Sequence, residues 1–255
     1  MIYDIEETVS PDDVSLDSFK VKNELNPKFW KNRNRIDQKI RKALLVIAKD
    51  FIEYCDLGDY EIDDVVITGS IANYNWNKDY SDIDLHIIMD TTEISEDSSI
   101  AKNYCTFAKN LWNKNHTDVS VAGYPVEVYI QDSSEPHRSS GVYSLLDDRW
   151  LVKPDKKLMK PDYTSAEVKK DSAYFMNKID ELIDRESDGD VAGLYDEACR
   201  TMDDIKNVRA RSMRSTKKSV ELTSGNLIFK TLRRTGYIEK LLDLKNRLIN
   251  RKLSY

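Results

Sequence analysis

The chain of 255 residues is poor in cysteine and glycine, and it has no long apolar run. Its three cysteines, Cys55, Cys105 and Cys199, lie far apart, which argues against a disulfide framework and against the spacing of zinc ligands. Only eight residues are glycine, which excludes a collagen-like chain. No apolar run approaches the roughly 20 residues that span a bilayer. We therefore expect a globular protein of a reducing, cytoplasmic compartment, with no membrane partner.

Charge, by contrast, is plentiful and unevenly placed. A third of the residues are charged, and the formal net charge is −6. Residues 1–150 contain 16 lysines and arginines against 28 acidic residues, whereas residues 206–255 contain 14 against 3. The basic segment 206–255 predicts a polyanionic or nucleotide partner. A solvated helix face is the alternative interpretation.

The periodicity of apolar residues changes along the chain. Residues 1–26 are acidic, without a basic start or an apolar stretch, so we expect an extension rather than a signal peptide. From Pro27 the spacing predicts a long helix that ends before Gly58. Short alternating or β-branched runs then predict strands, with one helix at 100–112. Beyond Pro161 the pattern is helical only. The predicted strands lie at 65–67, 83–87, 126–130, 142–146 and 150–152.

This order of elements predicts an α+β fold. The predicted domains are an acidic N-terminal extension at 1–26, a central core at 27–153 and a helical C-terminal domain at 162–255.

Two aspartates, Asp82 and Asp84, occupy alternate positions of one predicted strand. Their side chains point to the same face, because side chains alternate along a strand. Carboxylates this close repel each other unless a cation neutralises them. Oxygen ligands of this kind select Mg²⁺ or Mn²⁺. Glu127, the one acid in the predicted strand 126–130, is the candidate third ligand of a site for two metal ions.

Gly69 and Ser70 end a predicted strand, eleven residues before Asp82. Glycine lets a phosphate approach the backbone, and the serine hydroxyl and the N–H groups of a following helix would hold that phosphate. We therefore predict a helix that opens at this turn and a triphosphate bound to it. With metal ions, the arrangement suits in-line attack of a hydroxyl on a nucleoside triphosphate, with release of pyrophosphate.

The order Gly69-Ser70, a spacer, Asp82-Ile83-Asp84 and a later acid between apolar residues resembles the polymerase-β-like nucleotidyltransferases. The strings 69–76 and 81–86 look similar to predicted nucleotidyltransferases of tailed phages, as do residues 26–51, 135–144 and 232–237. The resemblance implies a nucleotidyltransferase catalytic core at 27–153, with a small mixed sheet, a long N-terminal helix and a C-terminal helical bundle. It also implies an enzyme that uses two Mg²⁺ or Mn²⁺ ions and an NTP such as ATP. Its catalytic residues and metal ligands would be Asp82, Asp84 and Glu127.

A wider set of residues is assigned to nucleotide binding, and for most of them a second interpretation stays open. His137 is equally well explained as an ordinary loop histidine. Tyr143 would stack on the base by resemblance alone, and core packing is the favoured interpretation. His86 shares the face of the aspartates, and we favour a buried histidine with its hydrogen bonds satisfied. The full set is Gly69, Ser70, Ser81, His137, Tyr143, Arg209 and Lys218.

We expect a metal-dependent, template-independent enzyme that moves NMP from an NTP to an RNA or tRNA 3′ end, with the RNA held by residues 206–255. Transfer to a small molecule or to a protein hydroxyl is one alternative. A non-catalytic nucleotide-binding module of the same fold is another. A phage origin would place the protein in the host cytoplasm. The oligomeric state is left open by the sequence.

Overall fold

The computed structural model describes residues 8–31, 35–161, 164–215 and 220–253, with side chains up to residue 251. The chain divides into two compact units. One unit is Lys20–Met159, and the other combines the N-terminal residues up to Phe19 with the residues from Lys160 onward. The three-part domain division expected from the sequence stays a prediction.

The unit Lys20–Met159 contains eight described strands and two α-helices. The strands are β1 (Trp30–Lys31), β2 (Arg35–Ile36), β3 (Ile62–Thr68), β4 (Ile83–Met89), β5 (Ser120–Val121), β6 (Tyr124–Asp132), β7 (Val142–Ser144) and β8 (Arg149–Val152). The helices are α1 (Gln38–Tyr54) and α2 (Ser98–Asn115). Six strands form a mixed sheet in the order β5-β6-β4-β3-β7-β8, while β1 pairs with β2. In the sheet β6 runs parallel to β4, and all other neighbours are antiparallel. The predicted α+β class with a small mixed sheet is therefore confirmed.

The helix expected from Pro27 begins later than the apolar spacing predicted. Asp37 has an extended backbone, and its side chain accepts the Lys39 N–H at 2.9 Å, so it caps α1. The residues before it pair as β1 and β2 and bury Trp30 and Ile36. Apolar spacing alone did not distinguish this short hairpin from a first helical turn. The helix predicted at 100–112 is confirmed as α2, and strands occur at all five predicted places.

The two faces of the sheet differ in chemistry. Leu85 and Ile87 of β4 are fully buried in the main apolar core, together with Leu44 and Phe51 of α1. Asp84 and His86, which alternate with Leu85 and Ile87, are polar and only partly buried, whereas Ile88 further along this face is buried. One face of β4 therefore packs in the apolar core, and the other face carries polar side chains.

The other unit is helical. Its helices are α3 (Ser165–Ser187), α4 (Leu194–Ser215), α5 (Ser224–Arg234) and α6 (Tyr237–Leu253). Asn177 of α3 exchanges two hydrogen bonds with the backbone of Val9, so part of the N-terminal segment packs on this unit. Gly236, with φ of 81°, separates α5 from α6. No helix in the described ranges is both long and apolar enough to cross a membrane.

Candidate active site

The turn after β3 lies against the first aspartate of β4. Gly69 has φ of 68°, a left-handed conformation that favours glycine. A Cβ atom placed on Gly69 would lie 1.8 Å from Oδ2 of Asp84. Thr68, the last residue of β3, is the register partner of Asp84. Glycine is thus required twice at position 69, for its backbone conformation and for the close approach of a carboxylate.

Three acids lie around the same face of the sheet. Asp84 and Glu127 are paired residues of the parallel strands β4 and β6, so their side chains are neighbours. Asp82 immediately precedes β4, two residues before Asp84, and all three acids are partly buried. Burial raises the pKa of the Tyr129 phenol above its usual range, and the negative charges of Asp84, Glu127 and Asp82 raise it further. All three carboxylates are therefore close enough to Tyr129 to interact with it electrostatically.

The serine of the Gly-Ser turn is fixed to the residue before Asp82. The hydroxyls of Ser70 and Ser81 are 2.7 Å apart, and the Ser81 hydroxyl also accepts the backbone N–H of Asn77 at 2.9 Å. Ser81 is buried. These bonds close the spacer between the turn and the aspartates, so that Gly69 and Asp84 are held at their short separation.

The prediction that a helix begins at Gly69-Ser70 is wrong. Residues 69–80 contain turns and a bend and no helix. The Ser70 carbonyl accepts one turn bond from Asn73 N–H at 3.1 Å, and its hydroxyl is engaged by Ser81. Any phosphate held here would therefore meet a glycine turn and hydroxyl groups rather than the N-terminus of a helix.

A loop that precedes β7 packs on this turn. The Gly69 N–H donates to the Ser139 hydroxyl at 3.4 Å, and Asn73 Nδ2 donates to the Ser140 hydroxyl at 2.6 Å. A Cβ atom on Gly141 would lie 2.0 Å from the Ala72 carbonyl oxygen, so the two backbones touch. Residue-level reasoning missed Ser139 and Ser140. The only sequence signal was their place in the string 135–144 that resembles phage proteins.

His86 lies on the acidic face, where a hydrogen-bond chain runs through it. Burial lowers the pKa of His86 to about 4, and the positive charges of His137 and Lys109 act in the same direction. The neutral ring has one donor and one acceptor. Since Nδ1 is 2.9 Å from the acceptor Oε1 of Gln131, Nδ1 donates, and Nε2 accepts the Thr68 hydroxyl at 3.2 Å. His86 is therefore a satisfied histidine, as favoured from the sequence.

The remaining predicted nucleotide-binding residues differ in their placement. Tyr143 is fully buried and contacts Trp30 and Trp150 edge-on, each at 5.0 Å between ring centroids. It is paired with Ile67, one residue before the register partner of Asp84, so it lies on the face of the sheet opposite to Asp84. In this structure Tyr143 is a core residue, and its assignment to base stacking gains no support.

His137 is partly buried, and its Nδ1 lies 3.4 Å from Nε2 of Gln131, at the end of the His86 chain. Arg209 belongs to α4 in the helical unit. There its Nε donates to Asn226 Oδ1 at 3.0 Å, and its guanidinium lies 4.4 Å from the centre of the Phe229 ring. Lys218 lies outside the described residues. The nucleotide-binding roles of these three residues stay predictions.

The chemistry of the acidic face fits a hard divalent cation, because Asp82, Asp84 and Glu127 all offer carboxylate oxygens. Within the described ranges, however, no group of three or more His, Cys, Asp or Glu side chains is arranged to hold a metal ion. The Tyr129 hydroxyl donates to Oε2 of Glu127. Two features therefore suit a divalent cation, namely the carboxylate oxygens as ligands and the pairing of Asp84 with Glu127. The metal requirement stays a proposal.

Residues 49–147 match the family model described as a nucleotidyltransferase domain. The matched range includes the Gly69-Ser70 turn and all three acids. The polymerase-β-like resemblance is thereby confirmed, and the chain carries the domain of a nucleotidyltransferase enzyme. The likeness to phage proteins stays a prediction.

Other comparisons add little. No curated protein matches the chain significantly. A solved structure that is similar is the STING-associated CdnE c-di-GMP synthase from Capnocytophaga granulosa, at 13% sequence identity. The match covers 86% of this chain and 84% of that chain, with a TM-score of 0.25. A score this low supports no argument about substrate or product.

Proposed function

We propose that the protein is a metal-dependent, template-independent nucleotidyltransferase that moves NMP from an NTP to the 3′ hydroxyl of an RNA or tRNA. The observation that carries the proposal is the close approach of the Gly69 turn to Asp84, whose register partner on the next strand is Glu127. The turn that we propose to bind phosphate thus lies beside two carboxylates on the sheet.

In the proposed reaction the acceptor oxygen forms a bond to the α-phosphorus, the bond from that phosphorus to the β-bridging oxygen breaks, and pyrophosphate leaves. Asp82, Asp84 and Glu127 would hold Mg²⁺ or Mn²⁺, which when bound lowers the pKa of the acceptor hydroxyl and neutralises the triphosphate. Glu127 would take up the proton of the acceptor hydroxyl. Gly69 would admit the triphosphate, and Ser70 and Ser81 would keep the turn in position for it.

The catalytic test is transfer of label from each α-³²P NTP in the presence of Mg²⁺ or of excess EDTA. Asp82→Asn and Asp84→Asn should each abolish transfer, as should EDTA, while the thermal unfolding midpoint changes little. Asp63→Asn is the matched control, since Asp63 is an exposed aspartate of the neighbouring strand β3. Full activity in the Asp82 and Asp84 variants, or in EDTA, would refute the metal-dependent mechanism.

An RNA acceptor is supported by the charge of the segment 206–255, which has 14 basic residues against 3 acidic ones. Contacts to phosphates release counterions, so RNA binding should weaken steeply as salt rises. Total tRNA, bulk RNA and single-stranded oligonucleotides should therefore accept label, and less of it at 300 mM than at 50 mM salt. Binding that does not respond to salt would argue against RNA.

A second class of acceptor is favoured by the acidic half of the chain, where residues 1–150 hold 28 acidic residues against 16 basic ones. Such a surface suits a cationic small molecule or a cationic protein segment with a free hydroxyl. An aminoglycoside panel and a host lysate, offered in the same assay, test this class. NTP binding by calorimetry without transfer to any acceptor would instead indicate a non-catalytic module.

A cytoplasmic location is consistent with three free cysteines.

A further inference from the structure

Tyr129 lies beside Glu127, an acid of β6. It is two residues after Glu127 in β6, so both side chains point to the same face of the sheet. The Tyr129 hydroxyl donates a hydrogen bond to Oε2 of Glu127 at 2.5 Å. Within the described part of the chain, Oε1 of Glu127 has no hydrogen-bond partner. One carboxylate oxygen is therefore fixed, and the other is left for a ligand.

The ring of Tyr129 is itself held from two elements. It stacks on His86 of β4, with ring centroids 4.9 Å apart and an interplanar angle of 19°. The amine of Lys109 of α2 lies 3.9 Å from the centre of the ring. His86 is in turn fixed by Thr68 and Gln131. A phenol packed in this way cannot follow Glu127 through different rotamers, so it restricts the carboxylate instead.

We propose that Tyr129 is a positioning residue that holds the Glu127 carboxylate in one orientation beside Asp84, through the hydrogen bond from its hydroxyl to Oε2. This inference rests on the proposed function, because it requires Glu127 to act in the site. Partners that orient ligands in this way contribute roughly 10–100-fold to metal affinity or activity when they are removed. Glutamate has one more rotatable bond than aspartate, which increases the need for such a partner at this position.

The test removes the hydroxyl alone. Tyr129→Phe should lower kcat by about 10–100-fold with little change in KM for the NTP, because the ring still packs on His86. It should also weaken Mn²⁺ binding to the protein without NTP by a similar factor, measured by calorimetry. Tyr124→Phe is the matched control, since Tyr124 lies in the same strand and its hydroxyl accepts from Asn26 Nδ2, away from the acids. The control should leave both quantities unchanged.

A double-mutant cycle separates positioning from a merely structural role. In the Glu127→Gln background, Tyr129→Phe should have no further effect on Mn²⁺ affinity, because the carboxylate that it positions is gone. Equal effects of Tyr129→Phe in both backgrounds would overturn the inference. Wild-type kcat and Mn²⁺ affinity in Tyr129→Phe would do the same.

If Glu127→Gln itself retained full transfer and full Mn²⁺ affinity, the role proposed for Glu127 would fail, and this inference with it. Lys109→Met guards against a Tyr129 variant that does not fold. It leaves the hydroxyl in place and removes only the cation over the ring, so it should shift kcat in the same direction by a smaller factor. An unchanged kcat in Lys109→Met would mean that the contact with Lys109 of α2 does not hold the Tyr129 ring in place.

Discussion

The Cα of Gly69 faces the carboxylate of Asp84 so closely that a Cβ atom at position 69 would lie 1.8 Å from Oδ2. This close approach therefore depends on the absence of a side chain at position 69. The Asp84 carboxylate occupies the place that a side chain at position 69 would take. Any residue larger than glycine would displace Asp84 or the turn.

Gly69→Ala should therefore abolish nucleotidyl transfer and also destabilise the sheet unit. A left-handed backbone costs a non-glycine residue roughly 1–3 kcal/mol, and the clash with Asp84 adds to this. We expect the free energy of unfolding, measured by urea denaturation, to fall by at least this amount.

Substitutions at two other glycines separate the cost of the left-handed backbone from the cost of the clash with Asp84. Gly58→Ala should be nearly neutral, since a Cβ there meets no atom within 4 Å and the backbone is not left-handed. Gly123→Ala should show the backbone cost alone, because φ is 83° and the nearest atom, Lys28 Nζ, is 3.7 Å away. A loss at Gly69 no larger than that at Gly123 would mean that Asp84 moves aside without cost.

The Ser81 hydroxyl should matter more to the site than the Ser70 hydroxyl to which it is hydrogen-bonded. Ser81→Ala removes the hydroxyl that bonds to the Asn77 N–H and to the Ser70 hydroxyl, and a hydrogen bond of this kind contributes about 0.5–1.5 kcal/mol. We expect a lower unfolding free energy and a raised KM for the NTP. Ser99→Ala, at an exposed position of α2, is the control. Unaltered KM and stability in Ser81→Ala would show that the bond to Ser70 does not hold the turn.

Tyr143 should prove to be a core residue in solution. Replacing a buried aromatic ring by a smaller side chain costs a few kcal/mol, so Tyr143→Leu should lower the unfolding free energy by about 2–4 kcal/mol. KM for the NTP, measured well below the unfolding temperature, should stay unchanged. A residue that stacks on a base would instead lose about 1–3 kcal/mol of binding, seen as a raised KM.

His86 should make the fold sensitive to acid. Its pKa is lowered from 6.5 to about 4 by burial. As pH falls below 6.5, the unfolded chain takes up a proton at this position and the folded chain does not, so folding loses stability until pH reaches about 4. The shift corresponds to roughly 3 kcal/mol over this window, and the contribution is fully present above pH 6.5.

His86→Gln should flatten the decline of the unfolding free energy between pH 6.5 and 4, measured by urea denaturation at several pH values. His116→Gln, which changes a histidine at the end of α2, is the control and should keep the wild-type slope. Parallel curves for wild type and His86→Gln would contradict a buried neutral ring at position 86.

Much of the fold follows from local patterns in the sequence. The alternation of Leu85 and Ile87 with Asp84 and His86 specifies a strand with one apolar face, because side chains of a strand alternate. Gly69-Ser70 and Asp82-Ile83-Asp84 were sufficient to indicate the class of enzyme that the family match confirms. The start of α1 was not predictable from spacing, because the cap at Asp37 and the β1–β2 hairpin, not the apolar stripe, determine where the helix begins.

Local sequence patterns are sufficient to indicate the enzyme class and the apolar and polar faces of β4, and they predict which acids act in the site. The three-dimensional arrangement was needed to show that Glu127 pairs with Asp84, that Tyr129 donates a hydrogen bond to Glu127, and that Tyr143 faces the core. The physical reason is that strand register and the packing of separate segments depend on contacts between residues far apart in the chain. A local pattern shows which way a side chain alternates, but not which strand will lie beside it.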